Sequence, residues 1–198
     1  MNIPKIIAIC GYKRSGKDTI AEHISTMYGH KHIKIAGKLK EVVKILFNFN
    51  DHQIETDDKE ICDERWGISP RKAMQFMGTE MFQYKLQELI PDIQRNFWIQ
   101  SLITENIIGQ NTPLVISDLR FMHEYTELKK HNVFIIKINR RHDAGEQDLH
   151  PSETEFMNIP VDLQLENDGT IESLYKHLDT SIKMDDTRTS DDVHVLHR

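Results

Sequence analysis

Short apolar runs recur along the chain and predict the strands of a buried sheet. Residues 5–10 (KIIAIC), 113–117 (PLVIS) and 133–139 (VFIIKIN) are continuous apolar runs rich in β-branched residues, which is typical of strands buried on both faces. A shorter run, HIKIAG at 32–37, predicts another strand, and the alternating run VDLQLE at 161–166 predicts an edge strand. The sequence therefore predicts five strands.

Between these runs, apolar residues recur at the spacing of amphipathic helices. After the first run, Ile20, Ala21, Ile24 and Met27 fall on one helix face. Ser69 followed by Pro70 predicts an N-cap and a first helical residue. The predicted helices begin near residue 16 and then cover 39–47, 69–84, about 94–108, 121–131 and 171–182.

The alternation of strands and helices predicts an α/β fold. A β-α-β rhythm is typical of a parallel sheet with helices on both faces. The polar stretch 50–67 interrupts the rhythm and is expected to be a loop or a short irregular insertion. The helix before it has an apolar stripe made of Leu39, Val42, Val43, Leu46 and Phe47.

Composition narrows the class of protein. The chain has 198 residues, which fits one domain, and a net charge of −6, which does not support binding to a nucleic-acid backbone. No apolar run suits a membrane span or a secretory signal, and two cysteines at unrelated positions suit a reducing compartment. We expect a cytoplasmic protein that has no membrane partner and is folded over 1–183, followed by a polar, disordered tail at 184–198.

The stretch between the first strand and the first helix has the spacing of a phosphate-binding loop. Gly11, Gly16 and Lys17 match G-x-x-x-x-G-K in the required strand-loop-helix context. The glycines let backbone N–H groups turn inward and phosphate oxygens approach closely. The helix dipole adds positive potential, Lys17 can bridge the β- and γ-phosphates, and Lys13 and Arg14 add two further cations. The loop therefore predicts a bound nucleotide.

The residue after Lys17 departs from the usual pattern of such loops. Asp18 stands where a Ser or Thr usually contacts Mg²⁺, and a hydroxyl follows at Thr19. A carboxylate is also a good Mg²⁺ ligand, so metal binding is retained, whichever of the two contacts the ion. Alternatively, Asp18 only stabilises the helix N-terminus. Asp118, which follows a buried strand, is the predicted second metal ligand.

Further polar residues are candidates for contacts with phosphates or a base. Arg120 is in the same loop as the strand-end acid and can bind a phosphate bidentately. Arg140 and Arg141 open an aperiodic run that extends to residue 156, which predicts a lid over the phosphates or a merely solvated loop. Gly169, in the turn after the last strand, is either close to a planar base or a simple helix-entry residue.

One face of the helix predicted at 69–84 could recognise a phosphate acceptor. Arg71, Gln75 and Thr79 recur at four-residue steps, which places a guanidinium, an amide and a hydroxyl on one face. Such groups could bind a phosphate and a base edge. A solvated helix face explains the same spacing equally well.

With these residues assembled, the sequence resembles the deoxynucleoside monophosphate kinases of large tailed phages and related viruses, a group of P-loop nucleoside monophosphate kinases. The resemblance covers most of the chain to about residue 182, and the acid after the loop lysine is shared by that family. The S-G-K-D variant also occurs in animal-type phosphomevalonate kinases, which leaves the acceptor open. The segments that match are KRSGKDT (13–19), IAGKLKE (35–41), QFMGTE (75–80), SDLRF (117–121), HPSE (150–153) and NDGTIESLY (167–175).

The resemblance implies a three-layer P-loop kinase fold with an acceptor-binding region at about 38–108 and a lid at about 140–156. It implies transfer of a phosphoryl group from ATP, with Mg²⁺, to a deoxynucleoside monophosphate (dNMP) for DNA precursor synthesis, in the host cytoplasm if the protein is viral. The implied ATP-binding residues are Gly11, Lys13, Arg14, Ser15, Gly16, Lys17, Asp18, Thr19 and Gly169. The implied catalytic residues are Lys17, Asp118 and Arg140, and Asp18 and Asp118 are the implied metal ligands.

For the acceptor, the resemblance implies a second set of residues. Lys38 and Arg71 would hold the acceptor phosphate, Gln75 and Thr79 would lie along its pocket, and Trp98 could stack near the base. Glu153 would order the arginines of the lid. The implied acceptor-binding residues are Lys38, Arg71, Gln75, Thr79, Trp98, Arg120, Arg141 and Glu153.

Two other functions are consistent with a nucleotide-binding loop. One is a kinase for another small phosphate acceptor, such as phosphomevalonate or dephospho-coenzyme A. The other is a nucleotide-dependent switch protein, although the chain lacks the N-K-x-D signature that usually reads guanine. The expected partners are small-molecule substrates only, and the protein is expected to be a monomer or a homodimer.

Overall fold

The computed structural model describes residues 3–140 and 155–182. Its strands are β1 (Ile6–Gly11), β2 (Lys31–Ile33), β3 (Leu114–Ile116), β4 (Phe134–Asn139) and β5 (Leu163–Glu166). Its α-helices are α1 (Lys17–Tyr28), α2 (Gly37–Phe47), α3 (Asp51–Glu55), α4 (Pro70–Gln75), α5 (Phe97–Asn106), α6 (Met122–Lys129) and α7 (Ile171–Ile182). A π-helix covers Phe76–Tyr84, and short 3₁₀-helices lie at Asp57–Glu60, Lys85–Glu88, Pro91–Ile93 and Glu155–Asn158.

The five strands form one sheet in the order β2-β3-β1-β4-β5. β1 pairs in parallel with β3 and β4, and β4 pairs in parallel with β5. Parallel neighbours need crossover connections, which the intervening helices supply. This topology confirms the predicted α/β fold with its parallel sheet, and it places β5 at the edge, as its alternating sequence predicts.

Contacts divide the described chain into two compact units. The sheet unit comprises the described residues up to 32, together with 113–120, 132–140 and 155–182. The helical unit comprises Ile33–Thr112 and Phe121–His131.

The core of the sheet unit explains why β1 is apolar at every position. Ile7 and Ile9 pack with apolar residues of α1 and α7 on one face of the sheet. Ala8 and Cys10, on the other face, are also fully buried. Both faces are therefore covered, as a continuous apolar strand requires. The buried residues of the helical layer on the first face are Ile20, Ala21, Ile24, Leu174, Leu178 and Ile182.

Two apolar stripes are less buried than their spacing predicts. Met27 on α1 is 60% exposed, although Ile20 and Ile24 on the same helix are fully buried. On α2, Val43 is buried, whereas Leu46 is 55% exposed. Helical spacing fixes which residues share a face but not how far a neighbouring element extends along it, so it does not determine the burial of these two positions.

The helical unit has its own smaller core. Val43, Phe49, Ile54 and Ala73 are buried together. The polar stretch 50–67, expected to be irregular, contains the short helix α3, which begins with a capping box between Asn50 and Gln53. The rest of that stretch is a 3₁₀-helix and turns, which fits the prediction of a short irregular insertion.

The helix predicted at 69–84 begins as expected and then changes type. The Ser69 side chain accepts a hydrogen bond from the Lys72 backbone N–H, and Pro70 occupies the first turn. From Phe76 the chain continues as a π-helix. Helical periodicity in the sequence gives no signal for this change, because the apolar spacing of the two helix types is too similar over nine residues.

Several other boundaries move by a few residues. β2 covers Lys31–Ile33 rather than 32–37, because the chain turns at Ala36 into α2. α5 begins at Phe97, after 3₁₀ turns, rather than near 94. Most of the predicted lid, at 141–154, and the predicted tail, at 184–198, lie outside the described residues. Among the described helices, none has the length and apolarity that a membrane crossing requires.

Candidate functional site

The loop between β1 and α1 has the backbone of an anion-binding cradle. Gly11, Arg14 and Gly16 all have positive φ angles, of 145°, 63° and 104°. A Cβ atom at Gly11 would collide with the backbone oxygen of Ile138 on β4. A Cβ at Gly16 would lie 2.7 Å from Nδ2 of Asn167. Only glycine fits these two positions, which gives both predicted glycines a steric reason besides phosphate access.

Two residues from distant parts of the sheet unit hold the loop in place. Asn167, which follows β5, donates from Nδ2 to the backbone oxygen of Ser15 at 2.8 Å. Arg140, which follows β4, donates from Nη1 to the backbone oxygen of Arg14 at 3.3 Å. Arg140 thus contacts the phosphate-binding loop, and its role in a lid stays a prediction. The sequence singled out the turn that contains Asn167, but this side-chain contact was not predicted, because an Asn in a turn has no distinctive sequence signal.

Lys17 turns back over the loop rather than outward. Its Nζ donates to the backbone oxygen of Gly11 at 2.8 Å and to that of Tyr12. The side chain is half-buried, and these two neutral acceptors hold its ammonium group against the loop. Phosphate oxygens are stronger, charged acceptors for an ammonium group, so this position suits an incoming phosphate.

Ser15 supplies a direct test of whether the loop fits a phosphate. The residue is fully buried, and its Oγ has no hydrogen-bond partner among the described residues. A buried hydroxyl without a partner costs about 1–3 kcal/mol, so such atoms are rare unless a ligand satisfies them. The buried hydroxyl, the cation and the glycine backbone together fit a bound phosphate group.

Asp18 takes part in a chain of hydrogen bonds. Its Oδ1 accepts from Oγ of Ser117 at 2.8 Å, and Nε2 of His32 lies 2.8 Å from the same Oγ. The Asp18 side chain is 66% exposed. Asp118 is the next residue after Ser117 and is half-buried. Asp18 therefore contacts the residue that precedes Asp118, and both acids carry carboxylate oxygens, the donors that Mg²⁺ prefers.

The loop after β3 is fixed to the central strand. Leu119 is buried, and its backbone N–H donates to the oxygen of Ile9 on β1 at 3.2 Å. This anchor places Asp118 and Arg120 at the carboxyl edge of the sheet, where parallel sheets bind ligands. Both residues are half-buried.

The turn after β5 contains Asn167 and Gly169, which have different contacts. Gly169 is exposed, and a Cβ there would lie 2.7 Å from Oγ of Ser173, in the first turn of α7. That hydroxyl donates to the backbone oxygen of Thr170 at 2.7 Å. These contacts favour helix entry as the role of Gly169, whereas the contact with the phosphate-binding loop comes from Asn167.

In the helical unit, the two predicted acceptor cations are both paired with acids. Nε of Arg71 contacts Oε1 of Glu60, and the Arg71 side chain is 25% exposed. Nζ of Lys38 lies 3.1 Å from Oε2 of Glu105 and donates to Oγ of Ser101 at 2.8 Å. Each cation therefore already lies beside an anion in the described structure.

Gln75 and Thr79 fall on either side of the change in helix type. Gln75 ends α4, and Thr79 lies in the π-helix. A π turn contains more residues than an α turn, so a four-residue step still returns close to the same face. Both side chains are half-buried.

Trp98 is a packed core residue. It is 7% exposed, and its Nε1 donates to the backbone oxygen of Gly78 at 3.0 Å. Its ring lies 4.8 Å from that of Phe82 and 5.0 Å from that of Phe97. This packing favours a structural role for Trp98 over the predicted stacking on a base. In the π-helix, by contrast, the rings of Phe76 and Tyr84 are accessible, at 55% and 49% exposed.

Sequence reasoning missed a cluster around Arg95 in the helical unit. The guanidinium lies over the rings of Tyr84 and Phe121, at 5.7 and 5.3 Å from their centroids, and donates to Oε1 of Gln83. His123 stacks on Phe121, and burial, with a smaller effect of Arg95, lowers the pKa of His123 to about 4. These residues come together only in the tertiary structure, so no local pattern could identify them. Arg141 and Glu153 lie outside the described residues.

Three comparisons by sequence with known proteins indicate the same family. A sequence model of the family described as deoxynucleotide monophosphate kinase matches residues 5–66 and 49–178. A protein of Acanthamoeba polyphaga mimivirus, assigned by its name to the deoxynucleotide monophosphate kinases, is 34% identical over 184 residues, or 87% of this chain and 93% of the relative. The deoxynucleotide monophosphate kinase of Enterobacteria phage T4 is 20% identical over 249 residues, or 91% of this chain and 99% of the relative.

Solved structures with a similar chain course include a gluconokinase from Sinorhizobium meliloti 1021. It has a TM-score of 0.48 at 11% identity and covers 92% of this chain and 94% of its own. The protein TT1252 from Thermus thermophilus has a TM-score of 0.49 at 17% identity and covers 92% of this chain and 98% of its own. We draw no conclusion from similarity at this level.

Proposed function

Because the chain belongs to the deoxynucleotide monophosphate kinase family, we propose that it transfers the γ-phosphoryl group of ATP to a dNMP, giving ADP and a deoxynucleoside diphosphate. The observation that carries the proposal is the phosphate-binding loop, which has two positions that only glycine fits and the buried hydroxyl of Ser15, which has no partner among the described residues. The loop supports nucleotide binding, and family membership supports the acceptor class.

ATP would bind with its phosphates in the loop from Gly11 to Thr19. Backbone N–H groups and Ser15 would contact the phosphates, and Lys17 would exchange its contacts with backbone oxygens for contacts with phosphate oxygens. Lys13 and Arg14 are exposed on the same loop and add positive potential. Arg140, already in contact with the loop, would neutralise charge that develops during transfer.

Asp18 and Asp118 would hold the Mg²⁺ that accompanies ATP. The ion supplies charge neutralisation on the phosphates when it is bound. The residues themselves supply carboxylate oxygens at the end of β3 and in the first turn of α1, where the hydrogen bond from Ser117 fixes Asp18. Thr19, half-buried in the same turn, is the alternative hydroxyl donor.

The acceptor phosphate would bind to Lys38 and Arg71. Each of these cations is paired with a carboxylate, Glu105 or Glu60, in the described structure. A phosphate is also an anion, and it can accept the bidentate contact that a guanidinium offers. Gln75 and Thr79, half-buried on the same segment as Arg71, are the proposed contacts to the rest of the acceptor.

The remaining arginines would act around the transferred group. Arg120 at the carboxyl edge of the sheet and Arg141 in the lid segment are proposed contacts to phosphate, and Glu153 would orient the lid arginines. In-line phosphoryl transfer depends mainly on positioning and on charge neutralisation, so the mechanism requires no general base.

An acceptor panel tests the function. The four common dNMPs, the matching ribonucleotides, phosphomevalonate and dephospho-coenzyme A are incubated with ATP and Mg²⁺, and ADP release is measured. We expect release that depends on at least one dNMP and that Lys17→Ala removes. Activity on phosphomevalonate or dephospho-coenzyme A alone would contradict the proposal.

The same panel separates the kinase from a switch protein. A switch would prefer GTP and hydrolyse it without an acceptor. Replacing ATP by GTP in the assay, with and without the best dNMP, therefore distinguishes the two functions. Acceptor-dependent release of ADP from ATP is the result that we expect.

A further inference from the structure

Three side chains from three elements of the sheet unit meet beside the phosphate-binding loop. Asp18 lies in the first turn of α1, His32 lies in β2, and Ser117 directly follows β3. The Ser117 Oγ is 2.8 Å from Oδ1 of Asp18 and 2.8 Å from Nε2 of His32. His32 and Asp18 themselves are farther apart, at 3.9 Å. Ser117 is therefore the central member of the group.

The chemistry of the three groups fixes the direction of both hydrogen bonds. An ionised carboxylate only accepts, so the hydroxyl proton of Ser117 points to Asp18. The hydroxyl has a single proton, so the bond between Ser117 and His32 must use the proton on Nε2 of His32. The chain of donation therefore runs from His32 to Ser117 to Asp18 and ends on the acid.

The three side chains differ in burial, and the central hydroxyl of Ser117 is the most buried. Ser117 is 1% exposed, the His32 side chain is 21% exposed, and the Asp18 side chain is 66% exposed. A hydrogen bond from a buried, fixed donor restricts the rotation of an exposed carboxylate, and bonds to a charged acceptor are stronger than neutral ones. The pair of Ser117 and His32 can therefore hold Asp18 in one orientation.

The arrangement differs from the usual one in having an acid directly after the loop lysine and an additional hydroxyl at the strand end. In common phosphate-binding loops a hydroxyl after the loop lysine and an acid at the strand end serve Mg²⁺. Here the acid follows the lysine, and a hydroxyl stands at the strand end, one residue before Asp118. We propose that Ser117 and His32 are positioning residues that orient Asp18 toward the divalent cation of bound ATP, which rests on the proposed function.

The test measures metal binding apart from catalysis. Mn²⁺ affinity of the protein–ADP complex is measured by electron paramagnetic resonance, and ADP affinity is measured in EDTA. Ser117→Ala should lower Mn²⁺ affinity about tenfold or more, the usual effect of removing a group that orients a metal ligand. ADP affinity in EDTA should change less than about twofold, because Ser117 is not proposed to contact the nucleotide.

Conservative variants distinguish a lost orientation of Asp18 from a defect in folding of the protein. Ser117→Thr keeps the hydroxyl and should restore Mn²⁺ affinity to within about threefold of the original. His32→Gln keeps an N–H donor, so it should lose less Mn²⁺ affinity than His32→Leu. The matched control is Ser25→Ala, which changes a half-buried serine two turns after Asp18 on α1. It should leave both the Mn²⁺ affinity and the ADP affinity unchanged.

Distinct results overturn the inference and the proposed function. Mn²⁺ binding that is normal in the unmodified protein and unchanged in Ser117→Ala overturns the inference alone. Equal losses of Mn²⁺ affinity and metal-free ADP affinity in Ser117→Ala also overturn it, since they indicate a purely structural role. Failure of the unmodified protein to bind ADP would instead overturn the proposed function, and the inference with it.

Discussion

The phosphate-binding loop of the sheet unit and the proposed acceptor region of the helical unit are built in different ways. The loop depends on backbone geometry, with Gly11 and Gly16 in conformations and spaces that exclude a side chain. The proposed acceptor region depends on long side chains, such as Arg71 and Lys38, which are paired with acids. Backbone sites leave a fixed signature in the sequence, whereas sites made of side chains do not.

The first prediction tests the cation of the loop. Lys17→Ala should lower kcat by about two orders of magnitude or more, because the ammonium that neutralises the phosphates is lost. Steady-state kinetics with saturating ATP and the best dNMP measure the effect. Lys176→Ala, on the exposed part of α7, is the control. A kcat within threefold of the original would contradict a catalytic role for Lys17.

The second prediction tests the steric requirement for glycine. Gly11→Ala should lower ATP affinity at least tenfold and also lower the Tm, because the new Cβ meets the oxygen of Ile138. Gly29→Ala is the matched control. Gly29 also has a positive φ, of 73°, but a Cβ there meets nothing within 4 Å.

Thermal unfolding and nucleotide titration of the two variants separate collision from backbone strain. Gly29→Ala should cost only about 1 kcal/mol of strain and leave ATP affinity unchanged. If both variants lost the same stability and bound ATP equally well, the geometry derived for the loop would be incorrect.

The third prediction concerns the acceptor side. Arg71→Ala should raise KM for the dNMP about tenfold with a smaller change in kcat, because it removes a charge that holds the acceptor in the ground state and the transition state alike. Steady-state kinetics with varied dNMP measure both constants. The control is Arg65→Ala, which removes another arginine of the helical unit, one paired with Asp63. An unchanged KM in Arg71→Ala would place the acceptor phosphate elsewhere.

The fourth prediction separates packing from base stacking at Trp98. Trp98→Phe should cost about 1–2 kcal/mol of stability, because the buried oxygen of Gly78 loses its donor. The KM for the dNMP should stay within about twofold. Chemical denaturation and kinetics measure the two effects. A large rise in KM without loss of stability would support stacking instead.

The fifth and smallest effect is a pH dependence in the helical unit. Burial lowers the pKa of His123 to about 4 in the folded state, below its ordinary value of 6.5. The unfolded chain therefore binds more protons than the folded chain between these values, so stability falls as pH decreases from about 6.5 to about 4.

The Tm measured across that range should therefore decrease less steeply in His123→Gln than in the original protein. His177→Gln, at an exposed histidine of α7, is the control and should keep the original slope. Parallel Tm curves for the original protein and His123→Gln would show that His123 does not contribute to the pH dependence.

Much of the sheet unit could be predicted from sequence, for a physical reason. Continuous apolar strands such as residues 5–10 and 133–139 report burial on both faces, and G-x-x-x-x-G-K fixes a loop through neighbours within one turn. The helical unit was harder. The π-helix from Phe76 and the burial of Trp98 depend on contacts with residues distant in sequence, so neither could be predicted from propensity and spacing.

By itself, the sequence determined the parallel α/β fold, the position of the phosphate-binding loop and the unusual acid at position 18, because each is encoded by neighbouring residues. Only the tertiary structure decided that Ser117 bonds to that acid and His32 to Ser117, that Asn167 holds the loop and that Trp98 is buried. Those contacts join residues from different strands and helices. Their partners are chosen by how the elements pack, which no local pattern specifies.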